Sequence, residues 1–273
     1  MHSSDFSARH AAFRSLHESG CFILPNPWDK GSARYLESVG FKALATTSAG
    51  FAFSRAVPDR KLHVDAVITH CRDIVAASSL PINVDFEDGY ATTIDALKDH
   101  VAACAKTGIS ALSIEDAKPE PGTLFDFDEA VTRMRAAREA IDAVDPAIML
   151  VGRAEHFLIG KPDLDEVIKR LCAYAEVGAD CLYAPGLSNA DDIKAIVDAV
   201  APKPVNVMMG PAAPLGFDTL AKLGVRRIST GSSLAMAAWT GFVNATDKLL
   251  QQDISGSDEA VSYPQLCQLF QQA

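Results

Sequence analysis

The chain has 273 residues, of which 48% are hydrophobic, so its length and apolar fraction are sufficient for one large buried core. Lys and Arg number 25 against 35 Asp and Glu, and the formal net charge of −10 argues against nucleic-acid binding and against a membrane-surface protein. No run of about 18 apolar residues is present, so we expect no membrane-spanning helix.

The N-terminal segment and the cysteines point to the cytoplasm. Residues 1–17 lack the apolar core of a secretory signal sequence. The cysteines are scattered without Cys-x-x-Cys spacing, which predicts reduced thiols. We therefore expect a cytoplasmic protein with six thiols, namely Cys21, Cys71, Cys104, Cys172, Cys181 and Cys267.

Short apolar runs alternate along the chain with longer segments of helical period. Each run is short enough for a strand, and each is followed by turn residues. Eight strands are predicted, at Cys21–Pro25, Phe41–Thr47, Pro81–Glu87, Ala111–Glu115, Ile148–Arg153, Asp180–Pro185, Pro204–Met208 and Arg226–Thr230.

The segments between these strands carry helix signals. Asp126 and Asp163 each precede a helical pattern, and Glu129 and Glu166 follow them three residues later, which predicts two capping boxes. Glycines stand after several helical segments, where a left-handed residue commonly ends a helix. These glycines are Gly40, Gly108, Gly178 and Gly224.

Strand–helix alternation requires parallel strands joined by crossovers, and eight such units close a (β/α)₈ barrel. An open doubly wound sheet is the alternative, and it is disfavoured because no G-x-G-x-x-G turn follows the first strand. We predict one α/β barrel domain over residues 1–273, with helices at Leu234–Gln251 and Ser262–Gln272 forming a C-terminal extension of about residues 234–273. Its apolar residues could form oligomer contacts or pack on the chain's own barrel.

Active sites of parallel barrels lie at the carboxyl ends of the strands, and three predicted strand ends carry acids. Asp85, Glu87 and Glu115 together offer hard oxygen ligands with no His or Cys beside them, which favours Mg²⁺, or Mn²⁺, over Zn²⁺. The alternative is that these acids only cap loops and helices.

Other strand ends carry groups suited to an anionic substrate. Arg153 could offer its planar fork to a carboxylate or an enolate oxygen, or could merely neutralise the acids. The turn at 47–50 could hold an anion through backbone N–H groups, or could be an ordinary turn. Asn206 also stands at a strand end, and Thr230–Ser233 could bind phosphate or simply cap the next helix.

Several of these strand ends, in this order, resemble the isocitrate lyase/phosphoenolpyruvate mutase superfamily. The resemblance extends from about Leu24 to Trp239. Its motifs are Leu24–Asp29 (LPNPWD), Ala45–Gly50 (ATTSAG), Asn83–Tyr90 (NVDFEDGY), Ser113–Asp116 (SIED), Gly152–Arg153, Tyr174–Asp180 (YAEVGAD) and Gly224–Ser229 (GVRRIS).

The resemblance implies a (β/α)₈ barrel whose last helix is exchanged between subunits, in a dimer or a tetramer of paired dimers. It also implies Mg²⁺ and an enolate-type intermediate. Asp85 and Glu87 match the metal-holding pair, although the second is usually Asp, and Glu115 matches the third acid of the metal shell. Asp59 matches an acid near the metal, Arg153 matches the arginine that binds the substrate, and Thr47, Ser48 and Ala49 occupy the carboxylate-binding run.

The sequence departs from the superfamily pattern in the loop after the fourth strand, Ala117–Leu124 (AKPEPGTL). It lacks the Cys and His of isocitrate and methylisocitrate lyases and the Asn of phosphonomutases. Ala45 replaces a tyrosine before the carboxylate-binding run, and Pro185 replaces a glutamate after the sixth strand. These departures indicate a divergent member, whose substrate the resemblance does not give.

We expect a Mg²⁺-dependent lyase that cleaves a C–C bond of a small 2-oxo or 2-hydroxy carboxylate through an enolate. Glu120 and Lys118, on the loop expected to close as a lid, are candidate general acids or bases, and His156 is a third. One alternative is phosphoryl migration or P–C cleavage. Another is a barrel that binds a metabolite without catalysis.

Overall fold

The computed structural model describes residues 3–210, 214–255 and 260–271, and for residues 3–5 the backbone only. All eight predicted strands are present, most of them shorter at their ends than predicted. They are β1 (Phe22–Leu24), β2 (Leu44–Ala45), β3 (Ile82–Asp85), β4 (Ala111–Glu115), β5 (Met149–Arg153), β6 (Cys181–Tyr183), β7 (Val205–Met208) and β8 (Arg227–Ser229).

The strands are parallel and follow one another around a barrel in chain order, with β1 paired to β8. Between β1 and β2 the backbone N–H of Ala45 donates to the carbonyl of Pro25 at 2.9 Å, which nearly closes the ring. The predicted (β/α)₈ barrel is confirmed, and the open doubly wound alternative is wrong because no strand is inserted out of order.

Helices follow the strands on the outside of the barrel, where their apolar faces pack against the outward-facing strand residues. The structure contains α1 (Ser3–Leu16), α2 (Lys30–Ser38), α3 (Ser48–Ser54), α4 (Val64–Ala77), α5 (Ile94–Ala105), α6 (Phe127–Asp142), α7 (Leu164–Glu176), α8 (Ala190–Val200), α9 (Phe217–Lys222), α10 (Ser233–Leu250) and α11 (Tyr263–Gln271). Gln272, the last residue of the predicted tail helix, lies outside the described residues.

The helix ends agree with the sequence prediction at one capping site and differ at the other. The Asp163 side chain accepts from the backbone N–H of Glu166 and caps α7. Asp126 precedes α6 but makes no side-chain cap bond, because its φ and ψ of −58° and 155° depart from the usual cap conformation. The four glycines predicted to end helices all have positive φ.

Helix α1 was not predicted, because its sequence is mostly polar and shows no strong apolar period. Its Phe13 is completely buried and packs with residues at the amino-terminal ends of the strands. These neighbours belong to the cluster inside the barrel, which includes Phe22, Ala43, Ala111, Met149 and Cys181. Helix α1 therefore closes the lower end of the barrel.

The C-terminal extension is built differently from the barrel. Within α10, which the structure describes completely, Ala235 alone is buried, and Trp239 and Phe242 expose 41% and 62% of their surfaces. Helix α11 packs against α2 of the same chain. In the described part of the chain no helix is both long and apolar enough to cross a bilayer. All six cysteines lie in described segments and are free thiols.

Candidate active site

A cavity of about 220 Å³ opens at the carboxyl ends of the strands. Asp85 forms part of its wall. All six residues predicted to bind substrate also line it, namely Thr47, Ser48, Ala49, Asp59, Arg153 and Asn206. The barrel therefore brings to one cavity side chains that are up to 159 positions apart in the sequence, between Thr47 and Asn206.

Arg153, at the end of β5, is held by three carboxylates. Its Nη1 lies 2.6 Å from Oδ1 of Asp85, its Nη2 lies 3.0 Å from Oε2 of Glu115, and its Nε donates to Oε1 of Glu155 at 3.0 Å. Burial alone would lower the pKa of Arg153, but the charges of Glu115, Glu155 and Asp85 hold it well above its ordinary value. The guanidinium is therefore a fixed cation in the cavity wall.

Glu155 stands two residues after Arg153, so strand alternation directs both side chains to the same side, and Glu155 contacts the guanidinium. It was not included among the predicted site residues. Burial raises the pKa of the Glu155 carboxyl to about 8, although the Arg153 charge acts in the opposite direction. Its alternating position two residues after Arg153 was the signal that could have placed it in the site.

The segment expected to bind a substrate carboxylate instead holds Asp85. The backbone N–H and the hydroxyl of Ser48 donate to Oδ2 of Asp85 at 3.0 and 2.9 Å. This segment begins α3 rather than forming a simple turn, and Thr47 caps the helix by accepting from the N–H of Gly50. A Cβ at Gly50 would lie 2.7 Å from Cγ2 of Thr47, so the close packing requires glycine.

Glu87 lies beyond the end of β3 and does not follow the alternation of side chains along that strand. Strand β3 ends at Asp85, and Glu87 has a left-handed φ of 45°. Its side chain lines a second cavity of about 440 Å³ rather than the first. Burial, together with the charges of Asp85 and Glu115, raises the pKa of the Glu87 carboxyl to about 8, and its Oε1 is buried without a hydrogen-bond partner among the described groups.

Arg60 is a site residue that the sequence prediction missed. Its guanidinium donates to Oε1 of Glu115, to the carbonyl of Ala117 at 3.3 Å and to that of Lys118 at 2.9 Å. Its φ of 63° is unfavourable for a residue with a side chain. The position of Arg60 directly after Asp59 was the available signal. Arg60 therefore ties the 117–124 loop to an acid at the end of β4.

The predicted proton-transfer residues lie away from the first cavity. The Lys118 ammonium lies 3.8 Å from Oε2 of Glu129 and 5.3 Å from the centroid of the Phe125 ring. Glu120 is exposed in the same loop, which a bridge between Ala117 and Leu124 closes into a short hairpin. His156 is buried, its pKa is lowered by burial, and it does not line the cavity.

The turn that precedes α10 is hydrogen-bonded to the side chain of Asn26, which follows β1. Oδ1 of Asn26 accepts from the backbone N–H groups of Thr230 and Gly231 at 2.9 and 3.0 Å. Ser232 precedes α10 without making a side-chain cap bond. The backbone N–H groups of Thr230 and Gly231 are therefore already paired, as is that of Ser233 with the carbonyl of Thr230, and Asn26 is a second residue that the sequence prediction missed.

The acidic side chains around Arg153 outnumber the basic side chains in the same region. Asp59, Asp85, Glu87, Glu115 and Glu155 lie in this group against Arg153 and Arg60. Burial raises the pKa of Asp59 and of Glu115, and the Asp85 charge raises both further. A divalent cation would offset this excess of negative charge, and the oxygen donors suit Mg²⁺ or Mn²⁺.

The same acids do not enclose a metal ion directly. Across residues 3–210, 214–255 and 260–271, no three His, Cys, Asp or Glu side chains are placed to hold one together. Both oxygens of Glu115 contact arginines. Mg²⁺ usually keeps several waters and takes one or two carboxylates, so Asp85 and Asp59 in the cavity wall fit its needs, with Glu87 and Glu115 nearby.

Comparison with known proteins adds a family match. A family model described as phosphoenolpyruvate phosphomutase matches residues 13–250. An uncharacterized protein of Mycobacterium tuberculosis is 32% identical over 223 residues, which cover 81% of this chain and 82% of that protein. An oxaloacetate decarboxylase of Pseudomonas aeruginosa is 29% identical over 262 residues, which cover 93% of this chain and 88% of that protein.

Solved structures share the fold over nearly the whole chain. A candidate lyase/mutase of Burkholderia cenocepacia J2315 is 41% identical, with a TM-score of 0.93 and coverage of 98% of each chain. A 2,3-dimethylmalate lyase, described as a member of the PEP mutase/isocitrate lyase superfamily, is 24% identical, with a TM-score of 0.86. It covers 98% of this chain and 95% of its own, and this likeness concerns the fold alone.

Proposed function

The chain belongs to the phosphoenolpyruvate phosphomutase family and is an enzyme of the wider PEP mutase/isocitrate lyase superfamily, and on that premise we propose that it is a C–C lyase. Its proposed substrates are small 2-oxo or 2-hydroxy dicarboxylates, cleaved through an enolate. The oxaloacetate decarboxylase relative, which matches most of the chain, supports oxaloacetate as the first compound to test.

The observation that carries this proposal is the position of Arg153 in the cavity wall. Three carboxylates fix its guanidinium, so it needs no rearrangement to face an oxygen that becomes negative during the reaction. In decarboxylation the bond to the departing carboxylate breaks, and its electron pair moves onto the C2 oxygen as the enolate forms. Arg153 stabilises that charge more in the transition state than in the ground state, which is the requirement for catalysis.

Asp85 and Asp59 would hold Mg²⁺, with Glu87 and Glu115 nearby, and the ion would supply a Lewis acid for the substrate's C2 oxygen. Ser48 orients Asp85 through two hydrogen bonds. Arg60 neutralises Glu115 and holds the 117–124 loop.

The test is turnover of a panel containing oxaloacetate, 2-methylmalate, 2,3-dimethylmalate, phosphonopyruvate and phosphoenolpyruvate, each with MgCl₂ and with EDTA. We expect Mg²⁺-dependent release of a 2-oxo acid from oxaloacetate or a substituted malate, and loss of this activity in EDTA. Conversion of phosphonopyruvate without any C–C cleavage would instead identify a phosphomutase. Inertness towards the whole panel, with Mg²⁺ still bound, would indicate a metabolite-binding barrel.

We also propose that the enzyme is a homo-oligomer, a dimer or a tetramer, that acts in the cytoplasm. Trp239, Phe242 and Val243 on α10 are exposed in the single chain, and a second copy of the chain would cover them. The superfamily resemblance supports exchange of this helix between subunits. The six free thiols agree with a reducing compartment.

A further inference from the structure

Arg227 lies inside the barrel on β8, at the floor of the first cavity. It exposes 2% of its surface, and it lines the cavity together with Asn206 and Asn83. Its Nε donates to Oδ1 of Asn206 at 2.9 Å, and its Nη1 donates to Oδ1 of Asn83 at 3.2 Å. Both acceptors are neutral amides, so they orient the guanidinium without neutralising it.

No carboxylate in the described part of the chain lies within 4 Å of this guanidinium. Burial lowers the pKa of Arg227. The Cys181 thiol and the Tyr183 phenol act on it, but both have raised pKa values and are uncharged near neutral pH, and the charge of Arg227 itself helps to keep His17 neutral by lowering its pKa. A buried cation is normally paired because removing it from water is costly. Arg227 is therefore a buried positive charge beside a cavity with no protein counter-ion close to it.

The other buried arginines are satisfied in different ways. Arg153 and Arg170 contact carboxylates. Arg133 donates to the carbonyls of Asp88 and Ala91, and its guanidinium carbon lies 4.2 Å from the centroid of the Phe125 ring, away from the cavity. Of these four, Arg227 alone combines burial, cavity exposure and the lack of a charged or backbone partner.

The two asparagines are themselves held, which fixes the direction of the guanidinium. Nδ2 of Asn206 donates to Oγ of Ser229 at 3.0 Å, and Nδ2 of Asn83 donates to the carbonyl of Val84 at 3.2 Å. Both amide oxygens therefore face Arg227. Within the described residues, Nη2 of Arg227 makes no hydrogen bond, so it remains available to an anionic oxygen in the cavity.

We propose that Arg227 is an anion-binding residue at the cavity floor and that it binds one carboxylate of the dicarboxylate substrate. This assignment rests on the proposed function for the identity of the ligand. Tyr183 lies beside both arginines, since the guanidinium carbon of Arg153 is 5.1 Å from its ring centroid and its phenol acts on the charge of Arg227. A dicarboxylate in the cavity would therefore meet one cation in the wall and a second at the floor.

The test compares the wild-type enzyme with Arg227→Gln in binding of oxalate and malonate in the presence of Mg²⁺, by calorimetry. We expect the Kd of oxalate to rise by roughly tenfold or more, since a charge-assisted hydrogen bond is lost. The KM for oxaloacetate should rise similarly with a smaller change in kcat. Unchanged oxalate binding would overturn the proposal and make Arg227 a packing residue.

Arg226→Gln is the matched control, because it removes the same charge from the adjacent position. The Arg226 guanidinium donates to the carbonyl of Gly20 and does not line the cavity. We expect oxalate binding to remain within twofold of the wild type. An equal loss in both variants would mean that general charge, rather than Arg227, attracts the anion, and would overturn the proposal.

Two further measurements separate the remaining possibilities. In the first, chloride and bicarbonate are titrated into the wild type and into Arg227→Gln, and thermal unfolding is followed. If either anion stabilises the wild type as much as oxalate does, and does not stabilise Arg227→Gln, the occupant is an inorganic anion and the substrate assignment is wrong. If Arg227→Gln does not fold, a wild-type crystal with malonate and Mg²⁺ decides. A carboxylate oxygen on Nη2 supports the proposal, and a ligand held by Arg153 alone overturns it.

The binding readout also distinguishes this inference from the proposed function. If no panel compound is turned over but oxalate binding depends on Arg227, the lyase proposal fails and the anion site stands. If oxaloacetate is cleaved equally well by the wild type and Arg227→Gln, the lyase proposal stands and the anion site fails.

Discussion

Nη1 of Arg153 lies 2.6 Å from Oδ1 of Asp85, and this ion pair joins the ends of β5 and β3 across the intervening strand β4. Glu115, at the end of β4, contacts the same guanidinium. Three neighbouring strands therefore share one electrostatic junction at the mouth of the barrel. A change at any of these side chains alters the charge available to a ligand in the cavity.

Replacement of Asp85 by Asn should remove most of the activity while leaving the fold intact. The amide keeps the shape and can still accept from Ser48, but it removes the negative charge beside Arg153 and Asp59. We expect the kcat/KM for oxaloacetate with Mg²⁺ to fall by about 10²–10³. Asp99→Asn, an exposed acid on α5, is the control. Unchanged turnover in Asp85→Asn would remove Asp85 from the mechanism.

Arg153 and Glu155 should show strong coupling in unfolding free energy. Arg153→Met leaves buried carboxylates without a cation and should cost about 3–5 kcal/mol in urea unfolding. Adding Glu155→Gln removes one of the buried carboxyl groups that lose their partner, so the double variant should be more stable than Arg153→Met by about 1–3 kcal/mol. Glu155→Gln alone is the remaining variant that the double-mutant cycle requires. Purely additive losses would contradict the contact as an energetic pair.

Arg60→Gly should release the loop at 117–124. The substitution relieves the left-handed backbone but removes the hydrogen bonds to Ala117 and Lys118. We expect faster amide exchange in the loop and a lower kcat. Ala56→Gly relieves a similar φ of 57° elsewhere, so it should stabilise the protein by about 1 kcal/mol with unchanged loop exchange. Equal exchange in the two variants would show that Arg60 does not hold the loop.

Two buried histidines that resist protonation should each reduce stability as the pH drops below about 6.5, while Glu87 and Glu155, whose pKa values are raised to about 8, act in the opposite direction. Burial lowers the pKa of His70 to about 4 and, with the Arg227 charge, lowers that of His17 to about 3. The unfolded chain takes up these protons near pH 6.5 and the folded chain does not, so acid favours unfolding.

Each fully shifted histidine contributes about 1.4 kcal/mol per pH unit over this window. In urea unfolding between pH 7 and 4.5, His70→Gln should therefore show a shallower loss of stability than the wild type. His63→Gln, at a side chain that is 78% exposed, is the control and should follow the wild type. Parallel curves for His70→Gln and the wild type would refute this origin of acid sensitivity.

Phe242→Asp should dissociate the proposed oligomer. The side chain is exposed in the single chain and lies 5.6 Å, ring to ring, from Trp239 on the same helix. A charge placed within an apolar interface is unfavourable, so light scattering should report a smaller species than the wild type. Asn244→Asp adds the same charge to the same helix at a polar position and should leave the mass unchanged. A monomeric wild type would contradict the proposal.

The fold could be predicted closely because its signals are local. Each strand is a short apolar run, and residues such as Gly108 and Gly178 end helices by a backbone conformation that glycine favours. Helix α1 escaped prediction because it joins the cluster inside the barrel through Phe13 rather than through a periodic apolar face.

The positions of the site residues were predictable only for side chains that stand on a strand or at its end. Asp85 and Arg153 follow directly from their places at strand ends, and both line the cavity. Glu87 lies two residues beyond the end of β3, and its own left-handed backbone ends the alternation. Arg60 reaches Glu115 from a loop 55 residues earlier, and no sequence spacing encodes such a long side-chain reach.

Phe13 fills the barrel at the amino-terminal ends of the strands, directly beneath the reaction chamber. The active-site cavity is consequently closed at its lower end, so a ligand must enter and leave through the same opening. Substrate entry and product release must therefore alternate, so the release of one molecule sets when the next can bind.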